Sequence, residues 1–137
     1  MQRSSIMKGT ALLGIVFGVP LMLAPNALLA LYGAPDLNMP GVYNSMLYGA
    51  CMLAIAVMNW LAASQPAPVA RPVVIGTFVM TVLGSIASLE RQLTDQAPPA
   101  AWMNVVLFVV LLGLYAGLLR AEGVREKASA VGTCGGG

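Results

Sequence analysis

The sequence predicts an all-α protein, a bundle of four transmembrane helices with both termini cytoplasmic. Three observations carry this. The stretch Met46 to Trp60, MLYGACMLAIAVMNW, is apolar and uncharged, and three similar runs fill most of the 137 residues. Only 9% of residues are charged and mean hydropathy is +0.82, whereas a soluble domain carries about 25% charged residues. Six of the seven basic residues (Arg3, Lys8, Arg71, Arg120, Arg125 and Lys127) fall on one side of a four-span arrangement, and only Arg91 on the other. Basic residues stay on the cytoplasmic side, so this asymmetry sets both the count and the orientation. Three or five spans would scatter the charges.

The first span runs from Gly9 to Leu23 and is followed by a short apolar piece, Asn26 to Tyr32, which reads as the last turns of a bent first helix or as a small helix lying at the interface. Pro20 and Pro25 bend it, because a helical proline removes one backbone hydrogen bond. Gly33 then ends it. Arg3 and Lys8 before an apolar segment also resemble a signal peptide. The one candidate cut, near Ala34, would place Tyr32 and Pro35 beside it, both poor choices, so the segment reads as a retained span. Residues 34–41 (APDLNMPG) form a loop. The second span covers 42–63, and the Pro-rich SQPAPVARP turns the chain into a third over 73–89. That third run is rich in β-branched residues, yet a lone strand cannot satisfy its backbone in lipid, so helix is expected. A polar loop precedes the fourth span, 101–119. Trp60 and Trp102 sit at span ends, where interfacial anchors belong. Residues 1–121 thus form one membrane domain, and 122–137 read as a flexible cytoplasmic tail ending in TCGGG.

Each of three spans carries a mildly polar stripe at helical spacing. These are Asn44, Tyr48, Cys51, Ile55 and Asn59; then Thr77, Thr81, Ser85 and Ser88; then Asn104, Phe108, Leu111 and Tyr115. Polar groups in lipid seek partners, so the stripes should face one another inside the bundle. The plain reading is interhelical hydrogen bonding. The sharper one is a polar cavity built from Asn44, Cys51, Asn59, Thr81, Ser85 and Asn104. Small residues recur too: Gly14 with Gly18, Gly113 with Gly117, and Gly84 with Ser88. Such pairs let backbones approach closely, against another helix of the bundle or against a partner protein. Glu90 and Arg91 read as a solvated helix end, or as a charged gate or docking contact above the bundle.

Several classes are disfavoured. The chain has no histidine, which removes ordinary His-ligated haem, most zinc sites and a His proton relay. No acidic residue lies within a span, as proton- or cation-coupled carriers usually need. No CxxC, no methionine cluster and no Ser–His or Cys–His pair is present, so no catalytic or metal residue is assigned. The net charge of +2 is too small and scattered for nucleic acid.

The run Gly14–x3–Gly18–x–Pro20–x4–Pro25–x6–Gly33, GIVFGVPLMLAPNALLALYG, resembles the first span of DoxX-like small membrane proteins and their four-helix relatives. The run Tyr48 to Ala54 is similar to the start of their second helix. The resemblance covers the first half of the chain. It implies a four-helix bundle in a bacterial inner membrane and a connection with sulfur and redox-stress systems. Relatives often carry an arginine just before the second-span glycine. Here Asn44, Ser45 and Met46 stand there, so a site built on that arginine does not carry over.

The expected function is a non-enzymatic accessory or structural subunit of a larger membrane complex. Its partners would be membrane lipids and either other membrane subunits or further copies of itself, with no cofactor of its own. The alternative is a carrier that binds a small molecule, lipid or quinone along the polar stripes. A membrane enzyme whose cofactor is borne by a partner comes third.

Overall fold

The computed structural model describes residues 3–94 and 99–134, with side chains described as far as residue 124. The described residues are helical apart from short connections. Helix α1 covers Arg3–Leu23, α2 Pro25–Ala30, α3 Met39–Ala62, α4 Ala67–Leu93 and α5 Trp102–Cys134, the last preceded by a 3-10 turn, Pro99–Ala101. At 1.5 Å per residue, α1, the shortest of the four long helices, spans about 31 Å and α5 about 50 Å. A bilayer's hydrocarbon core is about 30 Å thick. Four helices are long and apolar enough to cross it: α1, α3, α4 and Pro99–Val124.

Proline and asparagine set the starts. Pro25, Pro40 and Pro68 lie in the first turns of α2, α3 and α4, where a missing N–H costs nothing. The Asn38 side chain caps α3, its Oδ1 accepting from the Gly41 N–H at 3.0 Å. Helix α1 continues through Pro20, and the chain leaves helical geometry at Ala24, with φ −150° and ψ 65°, directly before Pro25. Gly33 closes the α2 turn at φ +71°, a conformation that L side chains rarely adopt. The Asn26 Oδ1 accepts from the Leu37 N–H at 3.1 Å and ties the following loop back to α2.

The helices exceed the expected spans at the starts of α1, α3 and α4 and at the ends of α4 and α5. Helix α4 begins at Ala67, six residues before the apolar run, because Ala67 to Arg71 can continue a helix once Pro68 has started it. Helix α5 continues through Arg120 to Cys134, into the stretch whose composition reads as a tail. Ala, Glu, Arg and Lys in REKASA are good helix formers, and the helix above supplies a ready nucleus. Residues 135–137 of the TCGGG end lie outside the described residues.

Packing divides the bundle into two antiparallel hairpins. α1 lies closely along α3, and α4 along α5, while contact between the hairpins is sparse. The principal core cluster is where all four spans meet: Ile6 and Met7 of α1, Ala62 and Ala63 at the end of α3, Ala70 and Val74 of α4, Tyr115 and Leu118 of α5. The ion pair of Arg3 Nη1 with Glu122 Oε1, 3.7 Å, lies beyond this cluster. Arg3 also donates to the Gln65 carbonyl in the α3–α4 turn. The start of α1, that turn and the exit of α5 therefore share one end, called proximal below. Tyr32 and Asn104 meet at the distal end.

Candidate functional site: a buried polar node

Helices α3, α4 and α5 each contribute one polar side chain to a node that adjoins the core cluster and shares Tyr115 with it. Asn59 of α3 is at its centre, fully buried. Its Oδ1 accepts from the Tyr115 hydroxyl at 2.7 Å. Its Nδ2 donates to Thr77 Oγ1 at 2.9 Å and to the Ile55 carbonyl at 3.0 Å. Thr10 of α1 donates to its own helix, at the Ile6 carbonyl. Tyr115 is 0% exposed, Thr77 3% and Thr10 6%. Both amide hydrogens and the carbonyl of Asn59 are thus used, and the Tyr115 proton has an acceptor. A satisfied network of this kind holds helices in one register and offers no free acid, base or nucleophile.

The remaining stripe residues do not join the node. Thr81 donates to the Phe78 carbonyl at 2.7 Å, Ser85 to the Thr81 carbonyl at 2.7 Å, and Ser88 to the Gly84 carbonyl. The hydroxyls of this stripe distal to Thr77 are thereby spent on their own helix, as Ser and Thr commonly are in mid-helix. The stripe continues to Gln92, which is buried and whose Oε1 has no partner among the described residues. Asn104 accepts from the Tyr32 hydroxyl across 3.5 Å, a stretched bond. Partial burial raises the Tyr32 phenol above its ordinary pKa. Asn44 and Cys51 are exposed. The six residues read as a polar cavity are therefore distributed over the node, helix backbones, the distal contact and an open face.

A separate apolar groove of about 380 Å³ runs between α3 and α4, lined by Ile55, Met58, Pro72, Val73, Gly76, Thr77 and Met80. Thr77 is the one polar group in its wall, and its oxygen already accepts from Asn59. Among the described residues no three His, Cys, Asp or Glu side chains gather in a way that could hold a metal ion.

The glycine pairs have different surroundings. A Cβ built on Gly14 would come within 2.9 Å of Ala56 Cβ, and one on Gly18 within 3.1 Å of the Gly49 carbonyl oxygen. Both face α3. Gly49 answers them: its Cβ would meet Met22 N at 2.7 Å and Gly18 O at 2.8 Å. Gly84 is covered by the Phe108 ring. Gly113 and Gly117 have nothing within 4 Å and are exposed on α5, in a row with Val106 and Val110. No protein-family model, curated protein or solved structure matches the chain. What the site can do rests on its own geometry.

Sequence reasoning missed three participants. Thr10 carries a signal, since Thr10, Gly14 and Gly18 repeat at steps of four along the face that meets α3. Gly49 stands in the small-residue run of the second span without a glycine partner in its own helix. The Arg3–Glu122 pair has no signal, because 119 positions of chain separate residues that only the fold brings together.

Proposed function

We propose that this protein is a non-enzymatic accessory subunit of a membrane assembly, in a bacterial inner membrane with both termini cytoplasmic, and that the open face of α5 docks its partner. The observation that carries this reading is the contrast between the glycines. Gly14, Gly18, Gly49 and Gly84 each have close neighbours inside the bundle, whereas Gly113 and Gly117 meet nothing. In lipid, close approach through small residues is a principal source of helix association. Glycines in a helix interior cost about 1 kcal/mol each against alanine, so an unused pair is a cost without a return inside this chain. The satisfied polar node also supports a structural role over a chemical one.

The test is purification in native nanodiscs with identification of every co-migrating protein. Wild type should bring down a defined partner in fixed ratio, either another membrane protein or a second copy. Gly113→Leu should lose that partner while the monomer keeps its thermal stability. Unchanged co-purification would refute this face as the docking surface.

A second reading, the lipid or quinone carrier, is supported by the groove between α3 and α4. Its lining suits a hydrocarbon or isoprenoid chain, but supplies no spare donor for a quinone head. Mass determination of the same nanodisc preparation would reveal a retained lipid or quinone.

A further inference from the structure

Helix α3 differs from the other spans in what it leaves exposed. The exposed positions of α1 from Leu12 to Leu23, of α4 from Pro72 to Leu89 and of α5 from Met103 to Gly117 carry only apolar side chains or glycine. Those of α3 include Tyr43, Asn44, Tyr48 and Cys51. With 24 residues, α3 is about 36 Å long. Centred on a hydrocarbon core about 30 Å thick, it places Asn44, five residues in from Met39, roughly 4 Å inside that core. Among the described residues the Asn44 amide makes no hydrogen bond. Lipid chains offer it neither donor nor acceptor, so this amide lacks the partner that a polar group in lipid requires.

Asn44 also opens a regular seam. Positions 44, 47, 51, 54, 58 and 61 follow one another at alternating steps of three and four. All six residues, Asn44, Leu47, Cys51, Ala54, Met58 and Leu61, are exposed. This is the heptad repeat by which two parallel helices pack knobs into holes, with Asn44, Cys51 and Met58 at a and Leu47, Ala54 and Leu61 at d. Such a seam takes a helix with the same repeat at the same depth. A second copy of this chain, related by a two-fold axis along the membrane normal, has that repeat residue for residue. Electrostatic complementarity favours the same occupant. A primary amide has a partly negative oxygen and partly positive N–H groups, so it is the complement of another copy of itself.

We infer that the chain forms a parallel homodimer along the α3 seam, with Asn44 of each copy bonded to Asn44 of the other. Each Oδ1 accepts from the opposite Nδ2, and both amides gain the partner that lipid denies them. One asparagine at an a position fixes the register of the pair and limits it to two strands. Ala54, the smallest residue of the seam, lets the two backbones come close. The seam lies on a different helix from Gly113 and Gly117, so the inference stands apart from the docking role of α5.

Oxidative crosslinking of the full chain in its native membrane tests it. The chain has two cysteines, so Cys134→Ser leaves Cys51, which is free and exposed, as the single reporter on the seam. In a cysteine-free chain, Ala54→Cys and Met58→Cys report further along the seam, and Met46→Cys and Val106→Cys report exposed positions away from it. Cys51 and the two seam variants should form a disulfide-linked dimer, and the off-seam variants several-fold less of it. In liposomes of increasing lipid-to-protein ratio, Asn44→Leu should weaken dimerisation about 3- to 18-fold, the factor that interhelical hydrogen bonds in membranes imply. Asn44→Gln, which keeps the amide, should retain the dimer. Asn44 makes no bond within its own chain, so both variants should keep the melting profile of the wild-type monomer. Gly113→Leu should leave crosslinking at Cys51 unchanged, which separates this seam from the α5 face. Equal crosslinking on and off the seam, none at Cys51, or a dimer that Asn44→Leu does not weaken would overturn the inference.

Discussion

At the residue scale, Asn59 has the largest structural role relative to its size. It makes two interhelical bonds near the end of α3, to Thr77 and Tyr115. Such bonds in membrane proteins average about 0.6 kcal/mol and reach about 1.7. Removing one partner of a buried bond leaves the other unsatisfied, at about 1–3 kcal/mol. Asn59→Leu should therefore lower unfolding stability in detergent by about 1–3 kcal/mol, because the Tyr115 hydroxyl and Thr77 lose partners together. Tyr115→Phe should cost less, since the Asn59 amide keeps its bonds to Ile55 and Thr77. Denaturant titration of both variants and of the double variant reads this directly. Additive effects would mean that the two side chains do not act as one unit. The presence of a polar node was legible in the sequence, because polar side chains in lipid have few choices. Its membership was not. Asn44 and Asn59 lie on one stripe, and only packing decides that Asn59 finds partners across the bundle while Asn44 is left exposed.

At the scale of elements, close packing of α1 on α3 rests on glycine at three positions, Gly14, Gly18 and Gly49. The neighbours that a new side chain would meet at Gly49 are backbone atoms of α1, which cannot rotate aside. Gly49→Leu should thus force the pair apart and cost at least the 1–3 kcal/mol or so typical of overpacking. Thermal unfolding should show the loss, and the polar node should weaken with it. An unchanged melting profile would mean that α1 and α3 tolerate a wider spacing. Lys8 adds a smaller contact between the same helices, its ammonium 5.8 Å from the centre of the Trp60 ring. An exposed cation–π contact is worth about 0.5–1 kcal/mol, so the glycine seam dominates. The helix ends were less legible than the helices. Apolar runs mark where lipid requires helix, but a helix extends past the lipid wherever polar residues with good propensity follow, as α4 and α5 do.

At the scale of the molecule, the shared end of Arg3, Gln65 and Glu122 implies an even number of crossings between α1 and the exit of α5. The basic residues add the proposed orientation. Single cysteines introduced into a cysteine-free chain report it. Gln65→Cys should react with a membrane-impermeant maleimide only after the cells are opened, and Asp36→Cys in intact spheroplasts. The reverse pattern would invert the topology. All four spans converge at the proximal end. Cross-hairpin burial is concentrated where small residues, Ala62, Ala63 and Ala70, let the chains come together.

Composition and charge by themselves determined that the chain is helical, that it has four segments long and apolar enough to cross a membrane, and that its polar groups must find partners. These follow from the solvent, since lipid satisfies no backbone group and excludes charge. Which glycine pair is buried, which polar residues meet, and how the four helices pair were decided by tertiary structure alone. In a chain that is apolar on nearly every face, hydropathy does not distinguish a side that packs from one that meets lipid. That choice depends on shape, through contacts between residues far apart in the chain.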